Sequence, residues 1–233
     1  MPTRKSSFYS KLLVSLFIFP VACVLTGCLD SGPSDHSSYT IRILSTSVDE
    51  ADGEYETWKE HSSKEELIQA TLYENVDSSG EFGYVSVFHW PDYETMRFVH
   101  NYAGKPEDTQ VRPYKVVATA TGSNPGENVA EHAYVVNFFD IPAQTFGEAD
   151  PLPQWELIAE FMGDQEGFIS ASFYMSILSD ASYRYVSVAK WRNAEDFLKV
   201  KQNTDNLFGQ VMKFTDLDIT TNIYKMIEHH SSS

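Results

Sequence analysis

The sequence predicts an α+β chain in which two βαββαβ units follow one another and close together into a single barrel. Three observations predict it. First, Ala171 to Glu195 repeats Ala70 to Glu94 without a gap at a period of 101 residues. Nine of the 25 aligned positions are identical (Ala70/Ala171, Tyr73/Tyr174, Ser78/Ser179, Tyr84/Tyr185, Val85/Val186, Ser86/Ser187, Val87/Val188, Trp90/Trp191, Glu94/Glu195), where unrelated sequence gives about one or two. Second, the same order of strand-like alternation and helix-like spacing surrounds each copy. Third, Ala133 to Asp140 is apolar on both faces except at Asn137, so that strand needs cover on both sides.

Taken from the N-terminus, residues 1–27 read as a lipoprotein signal peptide. Arg4, Lys5 and Lys11 precede an uncharged, largely apolar run from Leu12 to Leu25, the layout of an export signal. A membrane span is the rival reading. Those 14 residues at about 1.5 Å each reach about 21 Å of a hydrocarbon core about 30 Å thick, and Pro20 interrupts them. The run ends in Leu25-Thr26-Gly27-Cys28, which resembles the lipobox of bacterial lipoproteins. That resemblance implies cleavage before Cys28, lipidation of its thiol and attachment to the membrane through the lipid anchor. Leu29 rather than an acid follows the cysteine, which by the same resemblance favours the outer membrane, facing the periplasm, over the inner one. Cys23 would leave with the signal, so no thiol remains for a disulfide or a metal. Residues 28–38 read as a polar tether.

Of the 17 Lys and Arg residues, three leave with the signal, so 14 stand against 33 acids in the mature chain. That excess repels phosphate backbones, which excludes nucleic acid as a partner and removes any polybasic grip on anionic lipid.

Unit 1 is placed at 39–122 and unit 2 at 132–228, with 123–131 a polar linker containing Pro and Gly. Each opens on a strand, Tyr39 to Thr46 and Ala133 to Asp140. In unit 2, Asp150-Pro151-Leu152-Pro153 starts a helix whose Trp155, Ile158, Phe161 and Met162 recur at helical spacing. Unit 1 has only Tyr55, Trp58 and His61 among many charges, which predicts a shorter or irregular helix. Each unit then runs through the repeated hairpin, turning at 77–80 and 179–182. A second helix follows Trp90 and Trp191, carrying Met96, Val99 and Tyr102 in one copy and Phe197, Val200, Leu207, Phe208 and Val211 in the other. Strands over 114–121 and 219–226 close the units. This is the ferredoxin-like plan, an antiparallel sheet with two helices on one face. The other face is too apolar for water, so the sheets should pack together within the chain, giving a monomer with an internal pseudo-dimer.

Tyr185-Val186-Ser187-Val188-Ala189-Lys190-Trp191, followed by Asn193-Ala194-Glu195-Asp196-Phe197 and preceded by Gly167-Phe168-Ile169-Ser170, resembles the antibiotic biosynthesis monooxygenase domain family over residues 133–227. Residues 39–121 resemble it through Tyr84 to Trp90 and Glu94. The resemblance implies a dimeric α+β barrel and, in the cofactor-free oxygenases of the family, deprotonation of an aromatic substrate that hands an electron to O2. It places an Asn four residues before the strand Trp and a Tyr six after it. Here the Trp is kept as Trp90 and Trp191, the Asn position holds Ser86 and Ser187, and the Tyr position holds Met96 and Phe197. The heme-degrading branch has an Asn on the first strand, which Asn137 matches, but its later Trp and axial His fall on Val200 and Gln210 in one unit and on Val99 and Thr109 in the other. Heme degradation is therefore set aside.

Asn137, Ser187 and Trp191 are the candidate site residues, with Asn137 and Ser187 donating hydrogen bonds to a substrate oxyanion and Trp191 as wall. Phe197 and Val200 would complete an apolar pocket. A core indole for each Trp and a structural hydrogen bond for Asn137 are the competing readings. His89 and His100, with Lys190 and Lys201 at the equivalent positions, read as solvated strand-end and helix-face residues, and Tyr73, Tyr84, Tyr174 and Tyr185 as sheet packing with wet hydroxyls. His61, His132 and His229-His230 show no metal-ligand spacing, and neither a Gly-rich phosphate loop nor a Ser-His-Asp motif is present, so no metal or cofactor is expected. Two functions stay open: a monooxygenase acting on a small aromatic or quinol-like molecule, and a non-catalytic tethered ligand-binding or interaction module that kept the fold.

Overall fold

Strands form where β-branched and aromatic residues alternate, and the described residues of the computed structural model form eight: β1 (Ser38–Leu44), β2 (Gln69–Asn75), β3 (Tyr84–Trp90), β4 (Gln110–Thr121), β5 (Ala133–Asp140), β6 (Phe168–Ser176), β7 (Tyr185–Trp191) and β8 (Asp218–Ser231). Helices α1 (Tyr93–Tyr102), α2 (Leu152–Gly163) and α3 (Ala194–Gln202) lie between them, and residues 58–60 and 62 are also helical. The structure describes residues 38–44, 56, 58–60, 62–76, 82–102, 110–123, 132–140, 151–178, 181, 183–202 and 218–232. The export signal, Cys28, most of the tether and linker, and most of both hairpin turns lie outside the described residues, as do Leu207, Phe208 and Val211.

The strands close into an antiparallel barrel in the order β1-β3-β2-β8-β5-β7-β6-β4, with β4 returning to β1. Each half contributes four strands, and the halves are joined by β2 with β8 and by β4 with β6. These are equivalent pairs, so the barrel has a pseudo-twofold axis within one chain, as the bare inner faces require. The duplication is also one of register: Ala70 faces Phe88 as Ala171 faces Ala189.

Alternation along each strand then builds two kinds of core. Inward residues, among them Ile41, Ile43, Tyr73, Val85, Tyr114, Tyr134, Val136, Phe138, Tyr174, Val186 and Tyr224, fill the barrel. Outward residues meet the helices in two separate layers, one centred on Trp90, Leu67 and Met96 and the other on Trp191, Trp155 and Phe173. Tyr73 and Tyr174 are thus buried in the interior rather than wet, and burial pushes both phenols far up from their usual range.

Three boundaries differ from the sequence reading. Ser38 belongs to β1 rather than to the tether, buried and paired opposite Trp90. Strand β4 begins at Gln110, four residues before the alternation becomes apolar. Strand β8 continues past 228 to Ser231, because β2 offers Thr71 and Ala70 as partners for His229 and His230. A polar C-terminal run hides such a strand from apolar periodicity. Among the described residues, no helix is long and apolar enough to cross a membrane.

Candidate functional site

The candidate residues lie in the outer layer of the second half. On β5 the inward Tyr134, Val136 and Phe138 leave Val135, Asn137 and Phe139 facing α2. Asn137 pairs with Ser187 on β7 and with Thr221 on β8, so three polar side chains lie in one row across three strands, surrounded by hydrocarbon. Helix α2 covers the row because Trp155, Ala159 and Met162 recur at helical spacing and are buried against it. Helix α3 adds Phe197, edge-on to Trp191 with ring centroids 5.6 Å apart.

Between sheet and helices is a cavity of about 60 Å³, walled by Val135, Phe139, Trp155, Ile158, Ala159, Met162, Phe168, Ala171, Ala189, Phe197 and Ile219, and by the three predicted residues Asn137, Ser187 and Trp191. The structure brings these three together. No acid, base or tyrosine stands on that wall. Its polar side-chain groups are an amide, a hydroxyl and two indole N–H groups. Thr221 Oγ1 donates to Asn137 Oδ1 at 2.8 Å, which leaves the Nδ2 hydrogens as the amide's offer to the cavity. Trp155 Nε1 donates to Ser187 Oγ at 3.0 Å in a fully buried contact, which leaves the serine's own hydrogen as a donor.

The first half uses the same scaffold differently. Arg42 pairs with Ser86 as Asn137 pairs with Ser187, so a buried guanidinium, 4% exposed, occupies the place of the amide. Two residues earlier on each strand, Thr40 corresponds to Val135. Trp90 Nε1 donates to Thr40 Oγ1 at 3.0 Å, the satisfied core indole that was one of the two readings for these residues. The Val135 side chain has no acceptor. Among the described residues no hydrogen bond holds the Trp191 N–H, which shares the cavity wall with Asn137 and Ser187.

Trp191 and Phe197 are held in place by the corner between β7 and α3. Asn193 caps α3 by accepting from the Asp196 N–H at 2.9 Å, the position that Asp92 fills for Thr95 in the first half. Asp196 in turn accepts from Arg192 Nε at 2.7 Å and Asn193 Nδ2 at 3.0 Å. The Arg192 hydrogen bond, with the charge behind it, holds the Asp196 carboxyl below the usual range against the opposing effect of burial. Gly167, at φ +84°, passes so close to Asp196 that a Cβ would stand 2.4 Å from its Oδ2, so only glycine fits there. The Gly167 carbonyl also accepts from the Arg192 N–H at 2.7 Å. The run Gly167 to Phe197 that carried the family resemblance is thus, in part, this corner.

Other singled-out residues fall elsewhere. His89 stacks on Tyr39 with centroids 4.4 Å apart, half-buried, and burial lowers its pKa. It is neither on the cavity nor fully solvated. His132 is likewise lowered by burial, with Lys190 nearby. Met96 and Ser86 are buried beneath the first half's helices. The side chains of Val99 and His100 lie outside the described residues, and so do Thr109 and Gln210. Among the described residues no three His, Cys, Asp or Glu side chains come together as a metal site. Thr221 and the Trp155 N–H were not foreseen. Alternation alone could have placed Thr221 beside Asn137 once the pairing of β5 with β8 was known, but that register is not written in either strand.

No family model matches the sequence, and no curated protein matches it. Solved structures match the fold. An anthrone oxidase-like protein superposes with a TM-score of 0.64 at 15% identity, over 86% of this chain and 95% of its own. A candidate monooxygenase of Fusobacterium nucleatum gives 0.59 at 8% identity over 85% and 95%, and one of Lactobacillus acidophilus gives 0.53 at 10% over 85% and 98%. This chain therefore has the dimeric α+β barrel fold of anthrone oxidase-like and antibiotic biosynthesis monooxygenase-type proteins, with both halves of the barrel in one polypeptide.

Proposed function

We propose that this chain is an exported lipoprotein, held to the membrane through Cys28, whose second half binds a small aromatic or quinol-like molecule and oxygenates it without a bound cofactor. The observation that carries the reading is the makeup of the cavity, hydrocarbon all round with polar atoms that donate: the Asn137 amide, the Ser187 hydroxyl and the Trp191 N–H. Such a wall favours an oxygen that gains negative charge over one that stays neutral. With no base on the wall, the substrate must be acidic enough to lose its proton to water, as an enolisable aromatic ketone or a phenol is. The resulting enolate passes one electron to O2, the two radicals combine at carbon, and loss of water turns CH2 plus O2 into C=O plus H2O. The fold shared with an anthrone oxidase-like protein supports that reaction class.

A second reading, a binding module without chemistry, is favoured by one observation. At the family's tyrosine position stands Phe197, which can neither donate nor accept.

The test is O2 uptake and tight binding with a panel of anthrones, quinols and heme. Uptake that falls about a hundredfold in Asn137→Ala, the scale of losing one oxyanion donor, supports the enzyme. Saturable binding without uptake supports the module. For the anchor, Cys28→Ala is expected to move the protein from the detergent phase to the aqueous phase in phase separation, and equal partitioning of the two proteins overturns lipidation.

A further inference from the structure

The cavity as it stands cannot hold the substrate just proposed. It encloses about 60 Å³, whereas an apolar cavity that takes up benzene measures about 150 Å³. Outside it, between α2 and β4, runs an open groove of about 390 Å³. Trp155 and Ala159 line both. Trp155 is therefore shared by a small, more enclosed space and a large, more open one.

The Trp155 side chain is buried in the outer core, held there by one ring stack and one hydrogen bond besides its apolar packing. The indole stacks on Phe173 at 5.0 Å and 13° and donates its N–H to Ser187. Helix α2 is pinned at its C-terminal end, where Ser123 donates twice to the Gly163 carbonyl, from N and from Oγ, each at 2.9 Å. Its other end has Pro151 as cap and no side-chain capping bond, and Trp155 lies one turn in from that end. Turning the indole out releases Ser187 and joins the cavity to the groove. The groove's side of α2 carries Glu156 and Glu160, Asp164 follows the helix, and no basic residue lines the groove.

We infer that Trp155 is the gate of this site: its indole, latched on Ser187, closes the cavity, and ligand comes in through the acid-rimmed groove, so the site takes neutral or cationic aromatics and turns away anionic ones. This rests on the reading of the cavity as the substrate site. It gives the Trp155–Ser187 hydrogen bond two roles, since breaking it both opens the route and frees the hydroxyl that then faces the ligand.

Stopped-flow tryptophan quenching on the detergent-solubilised full chain tests it, with 2-naphthol, 2-naphthylmethylammonium and 2-naphthalenesulfonate as neutral, cationic and anionic probes of one shape. In the wild type the sulfonate is expected to associate at least tenfold more slowly than the naphthol, and Glu156→Lys with Glu160→Lys, both on an exposed helix face, to reverse that order. Trp155→Phe keeps the stack and removes the latch, so association should speed up about fivefold, the weight of one hydrogen bond. Adding Ser187→Ala to Trp155→Phe should then raise the association rate no further, which mere loosening of the core would not reproduce. Equal association of naphthol and sulfonate in the wild type, or rates indifferent to Trp155→Phe, overturns the gate while leaving the cavity a binding site. Absence of saturable binding by any probe, in wild type and variants alike, overturns the cavity reading and the gate with it.

Discussion

Beneath their helices the two halves of the barrel share a backbone register and differ in which polar atoms have a partner. The first half has Thr40 to take the Trp90 N–H, Arg42 buried beside Ser86, and Met96 under the helix. The second has Val135, Asn137 and Phe197 at those places, and there the cavity forms. What distinguishes the halves at the strand Trp is its neighbour: Thr40 accepts from the Trp90 N–H, whereas Val135 has no side-chain acceptor to offer Trp191. The strand Trp is identical in both halves, so its presence alone says nothing about activity; its neighbour two residues along the adjacent strand does.

The largest effect expected from this comparison is in the first half. Thr40→Val makes that position like the second half and strips the Trp90 indole of this acceptor, so urea unfolding should show a loss of about 1–3 kcal/mol. An unchanged midpoint would mean that the Trp90 hydrogen bond is not a source of stability and that the contrast between the halves is only geometric.

A smaller effect separates the corners before α1 and α3. The first half caps α1 with Asp92, and Thr95 stands where the second half has Asp196. Because Arg192 holds the Asp196 pKa below its unfolded value of about 3.9, the ion pair stabilises the fold fully above that pH, and its contribution disappears as pH falls through the folded value. Asp196→Asn should therefore lower stability at pH 6, with the gap to wild type closing as pH falls below about 4 and through the lowered folded value. A gap that does not narrow as pH falls below about 4 would show that Asp196 acts by shape rather than by charge.

How much of this was legible in the sequence depends on how far each feature reaches along the chain. The duplicated hairpin, the strand alternation and the spacing of Trp155, Ile158 and Met162 are local, so the barrel and its two-layer core could be read directly. Asn137 stood out because an amide on a strand apolar on both faces needs a partner. Its partner Thr221 lies on a strand that joins β5 only by tertiary pairing, and the Trp155–Ser187 bond crosses from helix to sheet. Neither leaves a periodic trace. The equivalence of Arg42 and Asn137 was hidden for another reason: the two halves are offset by 95 residues at their first strands and by 101 at the hairpin, so an ungapped alignment sets Arg42 against the wrong residue.

The smallest change tests the contrast most directly. Val135→Thr gives the second half the hydroxyl that Thr40 gives the first, in a side chain of nearly the same shape, with Trp191 Nε1 as the donor it should meet. If the comparison holds, the new pair stabilises the protein by about 1 kcal/mol, the net worth of a hydrogen bond, because it satisfies an indole N–H for which no acceptor is found among the described residues. The same bond takes that N–H away from a ligand, so 2-naphthol should bind about fivefold more weakly by calorimetry while the fold becomes more stable. Stability and affinity moving in opposite directions is the signature of a donor reassigned from ligand to core. Were both to fall, the hydroxyl would simply be a misfit in a hydrocarbon wall; were stability to rise with affinity unchanged, Trp191 would be a wall of the cavity whose N–H the ligand does not use, leaving Asn137 and Ser187 as its donors.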